Sequence, residues 1–233
     1  MLGEAVRPLH ATVGLVDARP GDPDVWASLG ARRGSCTTRE LILRLTRGEA
    51  VRRPACSDRL PLAFYPEAAG PFEGYAPTQI QRAAAYLRSR HAATIVDLPN
   101  RRPAFTSAEA AVAALWIGQS DAVVLPATAN SASLRGVLDY LGTVSVRDKP
   151  VVIAYLVPRG RQPRRTSSIR GLLEEVRRSV AVLVELPDDD SGTEALVHHG
   201  TAGPEGQLLR HSHLRLVQTV VQAAVRQPQG AWS

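Results

Sequence analysis

Five short runs of continuous apolar, largely β-branched residues constrain this chain more than any other feature. They are Thr12-Val13-Gly14-Leu15-Val16, Ala93-Thr94-Ile95-Val96, Ala122-Val123-Val124-Leu125, Val151-Val152-Ile153-Ala154-Tyr155-Leu156 and Val180-Ala181-Val182-Leu183-Val184. Leu60-Pro61-Leu62-Ala63-Phe64 is a weaker sixth. A strand with one wet face alternates apolar and polar residues. Continuous apolar character fits strands covered on both faces, which is the habit of parallel sheets.

Parallel strands need crossovers, and the intervening stretches supply them. Thr78 to Arg88 places Ile80, Ala83, Ala84 and Leu87 on one helical face. Ser107-Ala108-Glu109 opens an alanine-rich run through Trp116 and Ile117. Asn130-Ser131 caps a run holding Leu134, Val137, Leu138 and Leu141, which Gly142 stops. Ser167-Ser168 precedes Ile169, Leu172, Leu173 and Val176. This alternation predicts an α/β fold with a doubly wound, mostly parallel sheet flanked by helices. Residues 48–77, rich in Pro, Gly and Arg, read as the longest loop-like region.

At 233 residues and 44% hydrophobic, the chain can bury a sizeable core. The expectation is a single α/β domain over 1–226 with a short flexible tail at 227–233. Disordered, collagen-like and disulfide-scaffold classes are excluded. The chain shows no apolar run of about 18 residues and no signal-peptide pattern, so a cytoplasmic protein is expected. Cys36 and Cys56 lack metal-ligand spacing and read as ordinary reduced thiols.

Of 28 basic residues only one, Lys149, is lysine. The net charge is also local. Residues 147–178 hold nine basic and three acidic residues, an excess equal to the whole chain's +6. One basic surface is the implication.

In doubly wound folds ligands bind beyond the carboxyl ends of the strands. Four apolar runs continue into Asp17-Ala18-Arg19-Pro20-Gly21, Asp97-Leu98-Pro99-Asn100, Pro126-Ala127-Thr128-Ala129-Asn130 and Leu186-Pro187-Asp188-Asp189-Asp190. All four carry Pro and three carry Asp. Strand-end carboxylates are what a magnesium-dependent nucleotide site uses to hold metal-bound water. They also cap ordinary turns, and both readings stay open for Asp17 and Asp97.

These segments resemble the ParA/MinD family of deviant Walker A ATPases, which position chromosomes, plasmids and division sites. Leu15-Val16-Asp17-Ala18-Arg19-Pro20-Gly21 is similar to the family's hhDxDP strand and switch, and Ile95-Val96-Asp97-Leu98-Pro99 to its Walker B strand. Ser120 through Thr128, continuing to Ser133-Leu134-Arg135-Gly136, resembles the "aDxvvvPttxxxxslxg" segment. Leu186-Pro187-Asp188 resembles the terminal "iPxD" loop near the adenine. The resemblance spans nearly the whole chain in order. It implies the P-loop NTPase-like fold, ATP and Mg²⁺ as cofactors and a homodimer. The implied nucleotide and Mg²⁺ site residues are Asp17, Asp97, Pro99, Pro187 and Asp188, with Asp97 anchoring the metal through a bound water.

The family's KGGxxKT loop, expected ahead of the Asp17 strand, has no counterpart in this sequence, and Lys149 lies in the wrong part of the fold to serve it. Met1 to Arg7 reads like the tail of the helix that normally follows that loop. The readings left open are an N-terminal truncation and a pseudo-ATPase. A missing first strand would leave a gap near the centre of the sheet. Arg19 replaces the second switch carboxylate, which reverses the local field near an attacking water and argues against hydrolysis by the chain as it stands. Two functions therefore compete: a divergent positioning or partitioning ATPase, and a non-catalytic scaffold or regulatory module.

Arg159, Arg161, Arg164 and Arg165 form the densest basic stretch and suit a non-specific DNA backbone or an acidic partner, or simply solvent. No aromatic residue interleaves them, so base stacking is not expected. The final helix, about Gln207 to Arg226, carries Leu209, Leu216, Val217, Val220, Val221, Ala224 and Val225 at helical spacing. Core packing accounts for it better than a membrane does. His198-His199 and His211-x-His213 lack completing ligands for a metal, and no GxSxG elbow anchors a hydrolase triad.

Overall fold

A computed structural model describes residues 13–18, 36–56, 62–68, 74–98, 108–143, 146, 148–158, 167–180, 182–188 and 207–226. The chain divides into two compact units, 1–119 and 120–233.

In the first unit, strands β1 (Val13–Asp17), β3 (Leu62–Tyr65) and β4 (Ala93–Asp97) run parallel in the order β3-β1-β4. A two-residue β2 (Ala55–Cys56) pairs antiparallel on the outer side of β3. Helices α1 (Thr38–Arg47), α2 (Pro77–Arg90) and α3 (Ala108–Gln119) supply apolar side chains to one core. That core gathers Val16, Ala63 and Tyr65 from the strands with Leu41, Ile42, Ile80, Ala83, Leu87, Val112 and Trp116 from the helices. The inward strand residues and the helical three–four spacing thus meet in one core.

Helix α1 is not among the helices that the sequence reading picks out. Its start is nonetheless well marked, since Thr37 Oγ1 accepts the Glu40 N–H at 3.0 Å, an ordinary N-cap. Gly48, at φ 70°, ends it in the left-handed conformation that glycine adopts without steric cost. In α2, Pro77 takes the first position and the Gln79 side chain accepts the Ala76 N–H at 2.8 Å.

One glycine is required for space. A Cβ on Gly14 would stand 2.6 Å from His91 Cδ2. His91 in turn lies 3.0 Å from the Tyr65 hydroxyl through Nε2, with the two rings edge-to-face.

In the second unit, β5 (Val123–Thr128), β6 (Val151–Pro158) and β7 (Val182–Asp188) form a parallel sheet in that order. Helices α4 (Ser131–Leu141) and α5 (Ser167–Ser179) cover one face, packing on Ile153, Tyr155 and Ala127. Helix α6 (Gln207–Val225) covers the other, where Val152, Ala154, Val184 and Leu186 point. The alternation along β6 explains why its apolar run is unbroken, since both faces are dry. Asn130 caps α4 by accepting the Ser133 N–H at 2.7 Å, as the sequence predicts.

The α/β class, the parallel pairing and the helical cover agree with the sequence expectation. The described strands form two sheets, and β4 and β5 each have one strand neighbour among the described residues. On those strands Ile95 and Val124 are exposed. Among the described residues, no helix is long and apolar enough to cross a membrane.

Candidate functional site

Three neighbouring parallel strands of the first unit each end at or near a carboxylate. Asp17 closes β1 and is the register partner of Asp97, which closes β4. The ladder runs one step further, with the Ala18 N–H donating to the Asp97 carbonyl at 2.9 Å. Glu67 lies two residues beyond Tyr65, the end of β3. Parallel strands put all their carboxyl ends on one edge, so residues far apart in sequence converge there.

The start of α1 is fixed against this edge. The Thr38 hydroxyl sits 2.6 Å from the Tyr65 carbonyl and 2.9 Å from the Asp17 carbonyl. With one proton it donates to one of them at a time. The Thr38 N–H donates to the Pro66 carbonyl at 2.8 Å. These contacts hold the ends of β1 and β3 and the first turn of α1 as one assembly.

Its electrostatics follow from burial. Asp17 is wholly buried and the Glu67 side chain is sealed from solvent. Glu67 Oε1 accepts the Ala68 N–H at 2.8 Å and lies 3.9 Å from Arg39 Nε. Burial is the largest influence on the Glu67 carboxyl and pushes it up to about 7, with the nearby Asp17 charge adding to the rise. The Ala68 N–H, Arg39 and Tyr75 oppose that rise without cancelling it. Burial, then the Glu67 charge, raises the Tyr75 phenol as well. Cys36 is a buried free thiol pushed up to about 11, chiefly by burial and then by Glu40. It therefore stays protonated at neutral pH and is no nucleophile. Near the start of β1, burial and then Arg90 lower His91, which favours its neutral form against Tyr65.

Of the residues proposed from sequence, Asp17 and Asp97 are brought side by side. Pro187 and Asp188 end β7 in the second unit, in register with Val157 and Pro158. Pro99, Arg19, the Arg159, Arg161, Arg164 and Arg165 cluster, His198 and His199 lie outside the described residues. His211 and His213 are exposed on α6. Among the described residues no three His, Cys, Asp or Glu side chains gather as a metal site. Lys149 is occupied elsewhere, its Nζ donating to the Ser120 carbonyl at 2.9 Å.

Glu67, Thr38 and Arg39 are not among the sequence candidates. The signals were present: a Thr-x-x-Glu cap at 37–40, and a carboxylate just beyond the weak Leu62–Tyr65 strand.

Two carboxylates on adjacent strand ends suit the water shell of a divalent cation. A carboxyl held near 7 is protonated or ionised by small changes around neutral pH. Asp97, half-buried, has the chemistry to hold a metal-bound water, whereas Asp17 is wholly buried. For a lysine-bearing phosphate loop the sequence holds one lysine, and its Nζ is bound to the Ser120 carbonyl.

No family model and no curated protein sequence matches the chain. Solved structures do. MinD from Pyrococcus horikoshii OT3, a septum site-determining protein complexed with Mg-ADP, superposes with a TM-score of 0.63 at 13% identity, covering 95% of this chain and 88% of that one. A ParA family ATPase from Chlorobium tepidum gives 0.60 at 17% identity, with the same coverage. A Cyanothece McdA variant in complex with ATP gives 0.62 at 15% identity, covering 94% and 87%. The fold is that of the ParA and MinD ATPases. At these identities the likeness is one of architecture. In this ParA/MinD-type fold, Asp17 and Asp97 stand at strand ends on the edge where α/β sheets take their ligands.

Proposed function

We propose that the chain is a divergent ParA/MinD-type protein that positions or partitions cellular cargo, with Asp97 anchoring a magnesium-bound water when a nucleotide is present. The observation that carries this reading is the pairing of Asp17 and Asp97 at the carboxyl ends of adjacent parallel strands. Asp17, Pro99, Pro187 and Asp188 are the further nucleotide or Mg²⁺ candidates that the family resemblance nominates. A homodimer in the cytoplasm, and contact of Arg159, Arg161, Arg164 and Arg165 with DNA backbone or an acidic protein, belong to the same proposal.

A second reading, the non-catalytic scaffold, is favoured by a different observation. Asp17 is fully buried beside Glu67, and Arg19 stands where a second switch carboxylate would be. A sealed carboxylate suits structure better than exchange of a metal's water shell.

Thermal unfolding with and without Mg-ATP separates the two. A ligand at 100 times its dissociation constant adds about 2.7 kcal/mol of stability. The positioning reading expects a magnesium-dependent rise in Tm that Asp97→Ala abolishes. No rise in a chain verified as full length assigns the protein to the scaffold reading. For the arginines, retention on DNA should fall steeply with salt and vanish when all four are replaced. Equal retention by the replaced protein removes DNA from the proposal.

A further inference from the structure

Beyond the end of β3, the first unit holds a carboxyl with few partners for a charge. The Glu67 side chain is sealed from solvent. Its Oε1 accepts one hydrogen bond, from the Ala68 N–H at 2.8 Å. Its Oε2 is buried with no hydrogen-bond partner among the described residues. Arg39 Nε, 3.9 Å from Oε1, stands beyond hydrogen-bond distance. The ionisable groups that act on the carboxyl are Arg39 from α1, Asp17 from β1 and Tyr75 from the approach to α2. Asp17 acts on it by charge, and with the sign that opposes ionisation. An ionised carboxylate here lacks the donors that water would give it, whereas a protonated one bears no such cost.

The segment that carries Glu67 also holds the start of α1. The Thr38 N–H donates to the Pro66 carbonyl, one residue before Glu67, and the Thr38 hydroxyl meets the Tyr65 and Asp17 carbonyls. Arg39, next along the helix, approaches Glu67 itself. One turn further, Leu41 and Ile42 are wholly buried and anchor the helix in the core. The Thr37 cap is internal to α1 and moves with it. Opening of residues 36–39 therefore breaks a few hydrogen bonds, leaves the core packed and lets water reach Glu67.

We propose that Glu67 is a proton-operated latch on the start of α1. With the carboxyl protonated, Thr38 stays clamped to the ends of β1 and β3. Loss of the proton favours release of residues 36–39 from that edge, where the freed carboxylate is hydrated. Burial holds the proton to about 7, so the latch works around neutral pH. An opened Glu67 gives up its proton near 4.5. Opening therefore becomes easier as pH rises between those values and levels off above the higher one. The device regulates access to the strand-end edge under either reading of the function, since neither the carboxyl nor the clamp requires a nucleotide.

Cys36 supplies the readout, being a buried free thiol two residues ahead of Thr38. The full chain, in magnesium-free buffer, is alkylated with iodoacetamide, and the Cys36 peptide is followed by mass spectrometry. Dividing each rate by that of the urea-unfolded chain at the same pH removes the thiol's own titration and leaves the opening of its site. That quotient should rise at least about tenfold between about pH 5.5 and 8, and in Glu67→Gln it should stay flat. Low urea should change it little, because a local opening exposes little surface. Arg39→Gln removes a cation that favours the charged carboxyl, so it should carry the levelling-off to higher pH; this arm decides if Glu67→Gln does not fold. A flat quotient in the parent chain overturns the proposal, as does a rise that persists in Glu67→Gln. Labelling that follows global unfolding in urea, or a profile unmoved by Arg39→Gln, overturns it as well.

Discussion

In the first unit Asp17, Thr38 and Glu67 are buried together at the strand ends, while among the described residues those buried in the second unit are apolar apart from the phenol of Tyr155. Both units are built on three parallel strands covered by helices, so the difference is not one of architecture. An interior of Leu134, Ile153, Leu173 and Val176 gains stability from each methylene removed from water. An interior holding two carboxylates gives up part of that gain to desolvation, and polar groups that cost stability concentrate where a protein binds or switches. The first unit carries its chemistry inside, at the strand ends.

The largest expected effect tests the apolar side of this contrast. Ile153→Ala should cost about 2–5 kcal/mol in urea unfolding, with little dependence on pH. A loss below about 1 kcal/mol would mean that the second core is loosely packed and the contrast is weaker than drawn.

Next comes the polar side, where the sign is opposite. A free glutamate releases its proton near 4.5, whereas folded Glu67 holds it to about 7. Between those values the folded chain binds more protons than the unfolded one, so stability falls as pH rises from about 4.5 to 7 and is level above. Glu67→Gln should remove this loss and stabilise the protein at pH 8 by about 1–3 kcal/mol, with little difference near pH 4. Unfolding measured across pH 4 to 8 checks it. If the substitution destabilises at pH 8, Arg39 compensates the buried charge and the first interior is not the costly one.

The smallest effect sharpens the comparison. The Tyr155 hydroxyl is buried without a hydrogen-bond partner among the described residues. Tyr155→Phe should therefore change stability by less than about 0.5 kcal/mol, or raise it slightly, as read by Tm. A loss near 2 kcal/mol would reveal a polar contact in the second interior.

The strands and most helices were legible because continuous β-branched runs and three–four spacing have few other uses. Asp17 and Asp97 were legible as strand-end residues, and the register then made them neighbours. Glu67 was hidden by its setting. Pro61 weakens the preceding strand as a signal, and nothing local shows that this carboxyl will be sealed from water. Helix α1 lay between a cap and a stop that are each unremarkable alone. On α6 core packing holds for Leu216 and Val220 but not for Val217, Val221 and Val225, which are exposed, and helical spacing alone does not tell the two sets apart.

The contact between Lys149 Nζ and the Ser120 carbonyl joins the approaches to β5 and β6. Because it is the chain's sole lysine, an acylating reagent meets one side-chain amine besides the terminal amine. Acylation at that nitrogen requires the contact to open, so its rate in native buffer is a clock for local opening of the second unit alone.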